Sequence, residues 1–132
     1  MIYGIGTDIV EVSRFRNMKS LDAFAKKCLT SEELNYFNDL EDSKKPIYLA
    51  KQFSIKEAIS KAFGTGIRQE VLLSNMSIAR DDLGKPVFIP LNNLKDKMND
   101  LGISASHVSL ADEKNYVAVS YTHLTLPTTP YV

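Results

Sequence analysis

Strand and helix signals interleave along the whole 132-residue chain, which predicts one mixed helix-and-strand domain around a long central helix. Three observations lead there. Short β-type segments stand near both ends and in the middle of the chain. Ile55, Ala58, Ile59 and Ala62 fall at i, i+3, i+4 and i+7, the apolar stripe of a core-facing helix. No internal repeat or linker divides the sequence, and a chain of this length with 44% hydrophobic residues can bury one core.

Taken in order, Met1 to Thr7 read as the first strand, because Tyr3 and Ile5 alternate with Gly4 and Gly6. If the strand continues, Gly4, Gly6 and Asp8 share one face, where two missing side chains let a helix or a ligand approach the backbone. Ser13 is placed as the cap of a short helix carrying Arg14, Phe15 and Arg16, and Asp22 as the cap of another reaching Lys27. Thr30-Ser31-Glu32-Glu33 is a capping box that should open a helix to about Leu40. After a polar loop, Glu41 to Lys45, Pro46 suits the first turn of the central helix, which runs to Phe63 and stops at Gly64.

Val71 to Leu73 and Ser77 to Arg80 look like strands, and Asp82-Leu83-Gly84-Lys85-Pro86 turns into Val87 to Ile89. Leu91, Leu94, Met98 and Leu101 space out a further helix, ended by Gly102. Strands near Ser106 to Leu110 and Tyr116 to Tyr121 close a domain taken as residues 1 to 121. Thr122 to Val132 holds two prolines, four threonines and no charge. It is read as a brief continuation of the last strand or as an appended, out-of-frame tail, and with His123 it is left out of the functional argument.

Sixteen basic and sixteen acidic side chains cancel, so no global field favours nucleic acid or a membrane surface. The single cysteine, Cys28, allows no internal disulfide, and its apolar neighbours suggest an inert buried thiol. No leader-like or membrane-spanning stretch is present, so a cytoplasmic protein is expected.

On the central helix, Glu57 and Lys61 lie one turn apart and away from the Ile55 stripe. A pair of this kind is ordinarily a solvated surface ion pair. Ala50, Phe53 and Ser54 share this second face, however, so the helix is expected to meet something on both sides: a ligand, a second subunit, or both. Magnesium takes oxygen ligands and commonly only one or two carboxylates, with phosphate and water completing its octahedron. Asp8 and Glu57 are the candidate carboxylates, although spacing alone does not bring them together. Lys56 and Lys61, with the Gly64-Thr65-Gly66 loop, suit anionic phosphates. That loop follows a helix C-terminus, where the macrodipole opposes anions, so lysine charge and backbone N–H groups would have to hold them. His107, in a strand pattern, is expected to be structural, and no Ser-His-Asp or Cys-His arrangement can be assembled.

Five strings in order now resemble one family, the holo-acyl-carrier-protein synthases. They are Gly4-Ile5-Gly6-Thr7-Asp8-Ile9-Val10 followed by Arg14-Phe15; Phe53 to Ala62, reading FSIKEAISKA; Gly64-Thr65-Gly66-Ile67; Gly84-Lys85-Pro86; and Val108-Ser109-Leu110 with Tyr116-Val117-Ala118-Val119. The resemblance spans roughly residues 1 to 121. It implies an α+β domain with an antiparallel sheet and a long central helix, assembling as a homotrimer with active sites between subunits. It also implies that Asp8 and Glu57 bind magnesium with the coenzyme A pyrophosphate, and that Lys61 contacts phosphate. The Gly64, Thr65 and Gly66 loop would lie against the nucleotide, and Arg14 would meet the acidic helix of an acyl carrier protein. Where some members carry Ser-His after the Val-Ser-hydrophobic string, this chain has Ala111-Asp112, so no catalytic histidine is assigned. Two other classes stay open: a metal-dependent phosphoryl or nucleotidyl enzyme with another acceptor, and a non-catalytic module docking acidic carrier helices through Arg14, Arg16 and Lys19.

Overall fold

The computed structural model describes residues 1–126. In chain order the elements are β1 (Ile2–Glu11), α1 (Val12–Arg16), α2 (Leu21–Cys28), α3 (Ser31–Asp39), α4 (Lys45–Phe63), β2 (Met76–Arg80), β3 (Pro86–Pro90), α5 (Asn93–Asp100), β4 (Ile103–Asp112) and β5 (Tyr116–Thr125). This is the expected α+β domain with a long central helix. The strands form an antiparallel sheet of order β1-β5-β4 and a separate antiparallel hairpin, β2-β3.

Side-chain size decides how helix and sheet meet. A Cβ on Gly6 would stand 1.7 Å from the Ala58 carbonyl oxygen, and one on Gly4 would stand 2.0 Å from that of Ala62. Only glycine permits this approach, so α4 lies directly on β1, with small residues on both sides. Ile55, Ala58, Ile59 and Ala62 are all buried, as the helical stripe requires. Val117, Val119 and Tyr121 of β5 fill the inner sheet face beside them.

The Thr30 capping box forms as expected: the Glu33 N–H donates to Thr30 Oγ1, and the Thr30 N–H donates to Glu33 Oε1. Gly64 ends α4 with φ +78°, a left-handed cap that suits glycine. Several boundaries differ from the sequence reading; β1 runs on to Glu11 and β4 spans Ile103–Asp112. The Ser13 hydroxyl does not cap α1, whose N-cap is Glu11, and Ser20 rather than Asp22 caps α2. Val71 makes only an isolated bridge with Arg68, and Leu73–Asn75 is a 3-10 turn instead of strand. β5 runs on to Thr125, which is the brief continuation of the last strand that the sequence offered as one reading of the tail. His123, set aside with the tail, is buried against the rings of Tyr3, Phe63 and Tyr121. Its Nε2 donates to the Ala62 carbonyl oxygen at 3.2 Å, which leaves Nδ1 to accept from the Tyr121 hydroxyl. The rest of that tail, 127–132, lies outside the described residues.

Candidate active site

β1 carries Asp8 along its buried face, two residues beyond Gly6, so the close approach of α4 brings the helix up to the carboxylate. Two α4 side chains then hold it. Ser54 Oγ donates to Asp8 Oδ2 at 2.9 Å, and Lys61 Nζ donates to Asp8 Oδ1 at 3.2 Å and to the Thr7 carbonyl at 3.0 Å. Glu57 lies between Ser54 and Lys61 on the same helix. Partial burial pushes the Glu57 carboxyl above its ordinary value and the charge of Asp8 pushes it further, while Lys61 and Arg14 pull it down. Four charged groups from three elements therefore act on one another at this point.

Arg14 comes from α1, where the chain turns sharply after β1. Its guanidinium stands 5.2 Å from the centre of the Phe53 ring and 5.6 Å from that of Phe15. These contacts steady a long side chain that remains exposed beside the acids.

The structure separates the two candidate phosphate-binding lysines. Lys61 is half-exposed at the site, while Lys56 is fully buried and points elsewhere. Lys56 Nζ bonds Glu33 and the carbonyls of Cys28 and Leu73, which leaves it unable to meet a phosphate from solvent. That expectation is corrected: residues 52 and 56 form a third face of α4, directed at α3 and β2. Gly64, Thr65 and Gly66 sit one turn beyond Lys61, with Thr65 and Gly64 exposed. His107, expected to be structural, stands exposed on β4. Asp112 makes an ion pair with Lys51 at 3.3 Å. Cys28 is buried and its thiol is pushed up to about 12 by burial, in keeping with an inert group.

Asp8 and Glu57 are oxygen donors of the kind a hard divalent cation takes; burial is the main cause of the raised Glu57, and the charge of Asp8, which a cation would offset, adds to it. Among the described residues no three His, Cys, Asp or Glu side chains converge, so other ligands would have to come from substrate oxygens and water. Clefts of about 680, 750 and 470 Å³ lie around Tyr36, Tyr48 and Arg80, around Lys85 and His107, and around Arg14 and Tyr116; of these only the last includes a residue of the site, Arg14.

Comparison with known proteins gives a consistent result. The sequence pattern of the 4'-phosphopantetheinyl transferase superfamily matches residues 4–119. A holo-[acyl-carrier-protein] synthase of Nitrosospira multiformis is 45% identical over 118 residues, spanning 87% of this chain and 92% of that protein. The crystal structure of the Neisseria meningitidis holo-[acyl-carrier-protein] synthase superposes with a TM-score of 0.88 at 43% identity, covering 95% of this chain and 100% of the other. A Bacillus anthracis holo-(acyl-carrier-protein) synthase, solved in complex with CoA (3',5'-ADP), has a TM-score of 0.80 at 33% identity and covers 96% of this chain and 99% of the other. With sequence, fold and length all in agreement, this chain belongs to the holo-[acyl-carrier-protein] synthase family of the 4'-phosphopantetheinyl transferase superfamily.

Proposed function

We propose that this protein transfers 4'-phosphopantetheine from coenzyme A to a serine of an apo acyl carrier protein, releasing adenosine 3',5'-bisphosphate. The observation that carries the reading is the Asp8–Ser54–Lys61 cluster with Glu57 in its midst, set on a fold shared with solved holo-[acyl-carrier-protein] synthases. The serine hydroxyl attacks the β-phosphate of coenzyme A, one P–O bond forms as the P–O bond to the leaving bisphosphate breaks, and the serine proton is given up to base.

Asp8 and Glu57 are the residues that would hold magnesium, which when bound supplies neutralising charge to the pyrophosphate. Lys61 gives a mobile cation at the same place and stabilises the leaving phosphate. Its present partner, Asp8, keeps it extended toward the site until substrate arrives. The Gly64–Gly66 loop, with φ +78° and +71° at its two glycines, offers backbone without side chains against the nucleotide. Arg14, steadied on Phe53, docks the acidic surface of the carrier and brings its serine to the acids.

The site is completed between three copies of the chain. Support comes from the outer face of the sheet, where Ile5 and Ile9 are 59% and 65% exposed and lie in register with Thr122 and Ala118. Ser109, Ser120 and Thr7 form the row between them. An uncovered sheet face of small and apolar residues suits a subunit contact. The deciding experiment is mass spectrometry of an apo carrier protein incubated with this protein, coenzyme A and magnesium. An unchanged carrier mass would reject the proposal, and labelled acceptors of other kinds would then separate a different transferase from a docking module.

A further inference from the structure

We infer that Lys56 and Glu33 form a positioning bracket that sets the rotation of α4, and so aims Glu57 and Lys61 at Asp8. The inference rests on the proposed function above but concerns residues that touch no substrate.

Lys56 has no solvent-exposed surface, yet all three of its ammonium hydrogens have acceptors on different segments: Glu33 Oε1 at 2.6 Å, the Cys28 carbonyl at 2.7 Å and the Leu73 carbonyl at 3.1 Å. Glu33 is equally saturated. Its Oε1 also accepts from the Thr30 N–H at 2.9 Å, and its Oε2 accepts from Gln52 Nε2 at 2.7 Å and from the Ile78 N–H at 2.8 Å. One ion pair thus ties α4, at Gln52 and Lys56, to the end of α2, the start of α3, the turn before β2, and β2 itself.

Helical geometry makes this a rotational constraint. At about 100° per residue, Glu57 and Lys61 lie about 100° and 140° around the helix from Lys56, so rolling α4 about its axis would swing both away from Asp8. On its other flank the helix is held by backbone contact of Ala58 and Ala62 with Gly6 and Gly4. That contact sets the distance to β1, and on the same side Ser54 and Lys61 bond Asp8 while the Ala62 carbonyl accepts from His123. The bonds of Lys56 and Glu33 anchor the opposite side of the helix, so that its rotation is fixed from both flanks. A buried ion pair is a poor source of net stability, because desolvation offsets most of its attraction, so its presence at full hydrogen-bond saturation favours a geometric role.

The test uses the full-length protein with both charges removed together, as Glu33→Gln/Lys56→Met, since losing one partner alone leaves an unpaired buried charge. A core variant on a distant element, Leu94→Ala in α5, serves as a control for lost stability. The bracket predicts that the folded double variant loses ~100-fold in kcat, the scale of an ångström-sized misplacement, with KM for coenzyme A changed less than threefold. It also predicts roughly tenfold weaker Mn2+ binding to the protein–coenzyme A complex, read by electron paramagnetic resonance. Leu94→Ala should keep parental kcat below its melting temperature. If the double variant does not fold, Gln52→Met, which removes the amide bond from α4 to Glu33 and leaves the ion pair intact, is read in the same way. A folded variant with kcat and Mn2+ affinity within threefold of the parent, or equal kcat loss in Leu94→Ala, would overturn the inference. A parent protein that transfers nothing to the carrier would sink the functional reading instead, and the bracket would then be judged on Mn2+ binding alone.

Discussion

Glu57 is pulled two ways: burial and Asp8 favour its protonated form, Lys61 and Arg14 its charged form, and the first pair wins. In the metal-free protein the folded state therefore binds this proton more tightly than the unfolded chain. The stability this contributes is complete below the ordinary value of 4.5 and is lost as pH rises through the raised folded value. Glu57→Gln should accordingly melt higher than the parent at pH 7 without magnesium, and the two curves should converge near pH 4. A variant that melts lower than the parent at pH 7 contradicts the placement of the acids. With magnesium and coenzyme A the same variant should lose ~100-fold or more in transfer while keeping a native circular dichroism spectrum. Arg14→Glu tests the other substrate. It should weaken carrier binding about tenfold or more, measured by calorimetry, with coenzyme A affinity nearly unchanged.

At the level of elements, the contact between α4 and β1 is the critical one. Gly6→Ala would put a methyl group inside the Ala58 carbonyl and push the helix off the strand. The expected cost is about 1–3 kcal/mol of stability, from denaturant titration. Transfer should fall by ~100-fold in the protein that remains folded, because Ser54 and Lys61 can no longer reach Asp8 together. A variant that loses stability but keeps kcat would show that the spacing serves the core alone. The sequence pattern already placed Gly4, Gly6 and Asp8 on one face and left open whether a helix or a ligand approached them. At the glycines it is the helix that approaches, Ala58 at Gly6 and Ala62 at Gly4. Lys56 was illegible for a different reason. Helical phase distinguishes it from Lys61, but nothing local reveals that Glu33, far away in sequence, waits in the core to pair with it. His107, expected to be structural, is exposed, and His123, for which nothing was expected, is buried, because strand alternation gives two faces without saying which one the helix covers.

For the whole molecule, the open sheet face sets the remaining expectation. Ile5→Lys changes an exposed residue of one chain, so the monomer should fold with little loss. In a trimer it would bury three lysines, and sedimentation should show dissociation together with ~100-fold lower transfer. A stable, active trimer in that variant would move the interface elsewhere.

The order of elements, the capping box at Thr30, the left-handed stop at Gly64 and the family to which the chain belongs were all present in the amino-acid sequence, because they depend on local periodicity, backbone freedom and matched strings. The tertiary structure alone decided that Ser54 and Lys61 grip Asp8, that Lys56 turns inward to Glu33, and that β5 extends through His123 to pair with β1. Those outcomes depend on which surfaces meet after collapse, and contacts between residues dozens of positions apart have no signature in any local stretch of the chain.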